Sequence, residues 1–372
     1  MRSAMMLMGV VMSSVGMAGA TTVTKADWGK SPDGKTVELY TLTAGKTEVK
    51  IATWGARVVS VRTPDKAGKV EEVVLGYPTL DGYLGDRETY FGAIVGRYGN
   101  RIANGKFSID GKSYQVPQNN NGNSLHGGTE GFDHKLWTAK QVPNGVEMTL
   151  VSPDGDMGYP GTLTAHVTYT LAAAKDGAAL KIQYEASTDK PTVVNLTNHT
   201  YFNLSGNGNQ TILNHVLKLN ADHYTPVNSG LIPTGNMDVV AGTPMDFRTP
   251  HAIGERINAD FEQLKLGKGY DHNWILNGPT GQMKLAAEVT DPTSGRTLRV
   301  DTTEPGVQFY SGNFLAGKWA GYNGVKYQFR TGFCLETQHY PDSPNHPGFP
   351  TTVLRPGKPY KSTTIFTFGT KS

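Results

Sequence analysis

Residues 162–171 read TLTAHVTYTL, a strict alternation in which Leu163, Ala165, Val167, Tyr169 and Leu171 share one face and Thr162, Thr164, His166, Thr168 and Thr170 the other. A period of two sustained over ten residues marks a half-buried strand, because successive side chains of an extended chain point to opposite faces. After a turn carrying Lys175-Asp176-Gly177 the alternation resumes, with Leu180, Ile182, Tyr184 and Ala186 against Lys181, Gln183 and Glu185. Two such runs joined by so short a turn make an antiparallel hairpin. Working outward from it, strands are expected at 48–53, 70–75, 147–151, 215–219, 283–289, 297–301 and 363–368, and a single short helix at 258–266. The chain has 45 Gly and 21 Pro in 372 residues, with no composition break, charge run or fixed repeat after residue 25. An all-β architecture follows: one large antiparallel β-sandwich over residues 21–372, in preference to the two domains that length alone would allow.

The first 20 residues stand apart. Arg2 precedes an apolar stretch from Met5 to Met17 and then Ala18-Gly19-Ala20, the pattern of a secretory leader cleaved after about Ala20. The stretch is shorter than the roughly 20 apolar residues of a spanning helix. The mature chain is therefore expected to be soluble and exported, most simply to a bacterial periplasm, with no membrane association. Lys and Arg total 35 against 32 Asp and Glu, a balance too even and too scattered for a nucleic-acid partner. Cys334 is the only cysteine, so no intramolecular disulfide forms; between Phe333 and Leu335 it reads as a small buried hydrophobe.

Five stretches carry chemistry, the last of them in two pieces. Residues 331–350, TGFCLETQHYPDSPNHPGFP, set one carboxylate, Glu336, between an apolar run and a proline-punctuated loop. Phe333, Cys334 and Leu335 read as the end of a buried strand, which puts Glu336 at a strand-to-loop junction beside a cleft, as a candidate base. Residues 96–107, GRYGNRIANGKF, offer Asn100 and Arg101 as a fork of donors. Residues 119–137 hold His126 before Gly127-Gly128, where a ligand could approach the backbone. Residues 195–206, NLTNHTYFNLSG, surround His199 with amides; a polar cleft explains them better than a core does, and the Asn-x-Ser/Thr triplets at Asn195, Asn198 and Asn203 read as chance. Residues 270–276 and 306–313 supply Asp271, Trp274 and Gln308, acceptors for vicinal hydroxyls and an indole for a sugar ring's C–H face. Taken singly, each has an ordinary structural explanation. His134, His166, His215, His223, His251 and His346 read as surface or strand-face residues, while His272 and His339 stay open. No metal motif, P-loop or dinucleotide fingerprint is present, so no cofactor and no metal are expected.

In order along nearly the whole mature chain, GNRIANGKF, NSLHGG, NLTNHTYFNLSG, DHNW, GVQFYSGN and LETQHYPDSPN resemble the aldose 1-epimerase (galactose mutarotase) family. The resemblance implies a galactose-mutarotase-like sandwich acting on a free aldohexose, with Glu336 as general base, His199 as general acid and His126 as the second active-site histidine. It also implies Asn100, Arg101, Asp271 and Gln308 as substrate-binding residues, and isomerisation without a cofactor. The leader is a departure, since the family is mostly cytosolic. Two other readings stay open from the residues: a non-catalytic carbohydrate-binding protein on the same sandwich, and a glycoside-processing enzyme using Glu336 with Asp271. Nothing in the sequence sets an oligomeric state.

Overall fold

A computed structural model describes residues 20–206, 208–318 and 320–371; all of the expected leader but Ala20 lies outside the described residues. The hairpin is there, pairing Leu163–Ala174 with Gly177–Thr188 in register from Leu163 opposite Thr188 to Ala174 opposite Gly177. It sits in a nine-stranded antiparallel sheet. From one edge to the other this runs Thr138–Val142, Gly145–Ser152, the two hairpin strands, Tyr360–Thr370, Arg296–Thr302, Lys284–Thr290, Val216–Leu219 and His251–Ala252. The C-terminal strand thus lies between the hairpin and Arg296–Thr302, so the two halves of the sheet are joined through long-range pairing.

Two smaller sheets cover its inner face. Five consecutive strands, from Thr22–Lys30 to Val70–Glu72, form a meander; six strands, in the order Tyr201–Phe202, Phe333–Gln338, Gly306–Tyr310, Asp271–Ile275, His223–Thr225 and Asp238–Val239, form the other. One continuous core draws Leu42, Val49 and Ile51 from the first, Trp274, Phe309, Phe333 and Leu335 from the second, and Val167, Tyr169, Leu180, Ile182 and Phe368 from the large sheet. This is the sandwich the alternation implied, with apolar faces turned inward and threonines and charges outward.

Local differences have local causes. The strand expected over 70–75 stops at Glu72, because the chain then crosses sheets: Val74 bridges Phe202, and Leu75 donates to the Tyr201 carbonyl. The helix expected at 258–266 is confined to Glu262–Gly267, and a second short helix, Leu80–Gly85, was not foreseen. Two glycines in six residues give Leu80–Gly85 little intrinsic helicity; burial of Leu80 and Tyr83 in a satellite core holds it.

Candidate active site

The floor of the site is the strand Phe333–Gln338. Its pleat sends Phe333 and Leu335 into the main core and Cys334 and Glu336 to the opposite face. Glu336 lies opposite Gln308 on the neighbouring strand, and Gln308 opposite Asn273 on the next, so Asp271, Gln308 and Glu336 share that face. The junction expected at Glu336 is therefore corrected: the strand continues to Gln338. Glu336 and Gln338 pair with Gln308 and Gly306, and the first proline comes only at Pro341.

The histidines come from loops. His199 follows the two-residue strand Thr197–Asn198 and is tied down by its amide, which donates to the Ala93 carbonyl at 2.9 Å. Its Nε2 faces Glu336 Oε1 across 3.6 Å, and its Nδ1 lies 3.5 Å from Cys334 Sγ. His126 is held by Asn100 through a reciprocal pair: its amide donates to the Asn100 carbonyl at 3.0 Å, and its Nδ1 accepts from the Asn100 amide at 3.1 Å. An accepting Nδ1 leaves the proton on Nε2, so His126 is a neutral hydrogen-bond donor. This fit needs Gly127, whose φ of +91° is left-handed and whose Cβ, were there one, would lie 2.0 Å from the Gly96 carbonyl oxygen.

Glu336, His199 and His126 meet in a cleft of about 350 Å³ whose wall also includes Asn100, Arg101, Asp271, Tyr90, Tyr201 and Tyr310. Aromatic rings fix the imidazoles. His199 stacks on Tyr201 at 5.0 Å and on Tyr90 at 5.7 Å, and His126 meets His199 edge to face at 5.1 Å. Burial, with the Asp271 carboxylate adding to it, pushes Glu336 well above its ordinary 4.5, against the pull of Arg101. Burial likewise lowers His199 to about 4, and drives His126 well below 6.5 with help from His199 and Arg101. Asp271 is raised by burial, opposed by Arg101 and by Gln308, whose amide donates to it at 2.8 Å. Burial therefore acts against the charged form of each group, the Glu336 carboxylate and the His199 imidazolium alike. Oε2 of Glu336 has no hydrogen-bond partner among the described residues. The donor atoms of His126, His199 and Glu336 lie within 4.8 Å of one another, so the same three groups could ligate a cation.

Of the residues singled out from sequence, Glu336, His199, His126, Asn100, Arg101 and Asp271 converge on this cleft. Gln308 does not line it and reaches it through Asp271. Trp274 is elsewhere: three residues from Asp271, it falls on the opposite face of its strand, in the core, where its indole donates to the Met245 carbonyl at 3.0 Å. The aromatic walls are tyrosines instead, and Tyr201 and Tyr310 stood unremarked inside the quoted motifs. The amides around His199 do not line the cleft either. Asn195 donates to the Gly99 and His339 carbonyls, Asn198 to Gly92, and Asn203 to Gln210 and Thr331. Thr200 and Ser205, the third residues of two glycosylation-like triplets, donate at 2.5 Å to the preceding Asn198 and Asn203. His215, read as a surface or strand-face residue, is buried, and its Nε2 accepts from the Leu204 amide at 2.9 Å. His272 is buried behind Asp271, whose amide donates to its Nδ1, and His339 pairs with Glu304 at 2.6 Å.

Comparison with known proteins bears on the whole chain. The family profile described as aldose 1-epimerase matches residues 38–367. A galactose mutarotase of Mus musculus is 47% identical over 348 residues, covering 93% of this chain and 98% of the relative. An aldose 1-epimerase of Escherichia coli (strain K12) is 42% identical over 344 residues, covering 91% and 97%. Among solved structures, a galactose 1-epimerase from Lactobacillus acidophilus NCFM superposes with a TM-score of 0.80 at 29% identity, covering 95% of this chain and 100% of that one. A GalM/aldose epimerase homologue from C. elegans gives 0.79 at 30% identity, with 88% and 96% covered.

Proposed function

The chain belongs to the aldose 1-epimerase family, and we infer from this that it is a mutarotase, an isomerase that interconverts the α and β anomers of a free hexose such as glucose or galactose. The observation that supports the residue roles is the contact of Glu336 Oε1 with His199 Nε2 at 3.6 Å on a cleft floor where Glu336 Oε2 has no hydrogen-bond partner among the described residues.

In this reading Glu336 takes the proton of the C1 hydroxyl while His199 gives its Nε2 proton to the ring oxygen. The bond between C1 and the ring oxygen breaks and the open-chain aldehyde forms. Afterwards Glu336 is protonated and His199 neutral; burial raises the proton affinity of the carboxylate and lowers that of the imidazole, which drives both transfers of the opening step. Rotation about C1–C2 presents the other carbonyl face; on closure His199 retrieves its proton and Glu336 returns the one it took. The proton count is unchanged over the cycle, and no covalent intermediate forms. His126, a neutral donor, and Arg101 steady negative charge developing on oxygen. Asp271, set by Gln308, and Asn100 hold the remaining hydroxyls while C1 turns.

Polarimetry of freshly dissolved α-D-glucose and α-D-galactose tests this: the protein should speed the decay of optical rotation over a blank. Saturable sugar binding with no acceleration would instead identify a binding protein, and release of reducing ends from an oligosaccharide a glycoside-processing enzyme. We also propose that the protein is exported to a periplasm, on the strength of Arg2, the apolar stretch to Met17 and Ala18-Gly19-Ala20. Mass spectrometry of the mature N-terminus after cell fractionation should find it near residue 21; an intact Met1 in the cytoplasmic fraction would reject export.

A further inference from the structure

Besides His126 and Glu336, the His199 ring meets Tyr201 and Tyr90, stacked on it, and Cys334 at Nδ1. The Nδ1 contact matters because of which nitrogen exchanges the proton. An imidazolium that releases its Nε2 proton is left as the Nδ1–H tautomer, and only that tautomer presents an Nε2 lone pair to take the proton back. Whatever sits against Nδ1 therefore governs the return step. In many acid–base sites that partner is a carboxylate, which accepts the N–H and also stabilises the imidazolium. Here it is a sulfur two residues from Glu336 on the same strand, so one pleat places both the base and the partner of the acid.

We propose that Cys334 is a positioning residue for His199: its sulfur accepts the Nδ1 hydrogen and holds the tautomer whose Nε2 shuttles the proton, while being too weak an acceptor to make His199 basic. The inference rests on His199 being the proton donor. Its surroundings agree. Cys334 is fully buried, and burial with the nearby Glu336 and Asp271 carboxylates keeps the thiol neutral, so no third negative charge forms beside the pair. Register sets it between Tyr201 and Tyr310, and the three side chains pack in one satellite core.

The test uses Cys334→Ser and Cys334→Ala, read by nitrogen-15 NMR of the histidine ring and by pH profiles of kcat and kcat/KM. The wild type should show His199 as the Nδ1–H tautomer. Alanine should mix the tautomers and lower kcat by about three- to tenfold, the worth of one modest hydrogen bond, with KM unchanged. Serine, a better acceptor, should keep the tautomer and move the acid limb to higher pH; if alanine does not fold, this shift alone decides. An Nε2–H tautomer in the wild type overturns the proposal, as does an alanine variant with unaltered tautomer and kcat, or a serine variant with an unmoved acid limb. A His199→Asn control separates the two levels: if it retains turnover, the donor assignment itself fails, whereas loss in that variant with no effect at Cys334 rejects the positioning role alone.

Discussion

The two faces of the strand Phe333–Gln338 are buried alike and chemically opposed. Leu335 is 1% exposed and Glu336 2%. On the inner face Phe333 and Leu335 are enclosed by apolar side chains of the main core. On the outer face, one Glu336 oxygen and both side-chain polar atoms of Gln338 lack hydrogen-bond partners among the described residues. Buried polar groups are normally satisfied, and leaving them unpaired costs stability. Along this strand, therefore, the two faces differ in hydrogen-bond satisfaction and not in burial. The inner face stabilises the fold, and the outer face forgoes some of that stability to hold in the cleft the carboxyl we propose as the base.

Substitutions on the two sides should fail in different ways. The largest effect is expected from His199→Asn, which removes the proposed proton donor and should lower kcat by about 10²- to 10⁴-fold, with sugar binding largely kept; stopped polarimetric traces with isothermal titration in parallel would show it. Leu335→Ala should do the reverse. It opens a cavity under the same strand and should cost about 2–5 kcal/mol in denaturant unfolding, with kcat close to wild type well below the melting temperature. A smaller, graded effect is the pH profile. The Glu336–His199 pair carries one proton between about 4, where His199 takes up a second, and the raised value of Glu336, above which the pair loses its last. Activity should fall on the acid side near pH 4 and on the alkaline side at the upper titration, and Glu336→Asp should move chiefly the alkaline limb. Smallest is the response to EDTA. Dialysis against it should leave turnover unchanged, while added Zn²⁺ should inhibit by occupying His126, His199 and Glu336.

How much of this could be read from the sequence depended on the scale of the signal. The hairpin of Leu163–Ala174 and Gly177–Thr188 was legible because one face is buried from Leu163 to Leu171 and again from Ala178 to Ala186, so the period of two is unbroken there. Short strands such as Thr197–Asn198 carry no periodicity and emerged only with the structure. Site residues were legible where an ordered motif surrounded them, as with His199 and Glu336. Roles within a motif were not. Trp274 looked suited to a sugar ring but lies on the wrong side of its strand, and Asn195, Asn198 and Asn203 looked like cleft amides but hold neighbouring backbone. Cys334 was read as buried, which it is; that its sulfur meets the imidazole of His199, 135 residues away along the chain, depends on the pairing of Tyr201 with Cys334. Tyr90 had no local signal at all.

Glu336→Gln tests the central claim most directly, because one variant reads both sides of the comparison. Below about pH 4.5 the carboxyl is protonated in the folded and unfolded chains alike; above it the unfolded chain ionises first, so wild-type stability falls as pH rises until the folded group titrates. Glutamine has no such penalty. Measured as turnover by anomer-exchange NMR and as stability by denaturant unfolding at pH 5 and pH 8, the variant should lose catalysis while keeping sugar affinity. Relative to wild type it should also gain stability, more at pH 8 than at pH 5. Turnover within about tenfold of wild type, less than the 10²-fold minimum expected of a general base, would contradict the account.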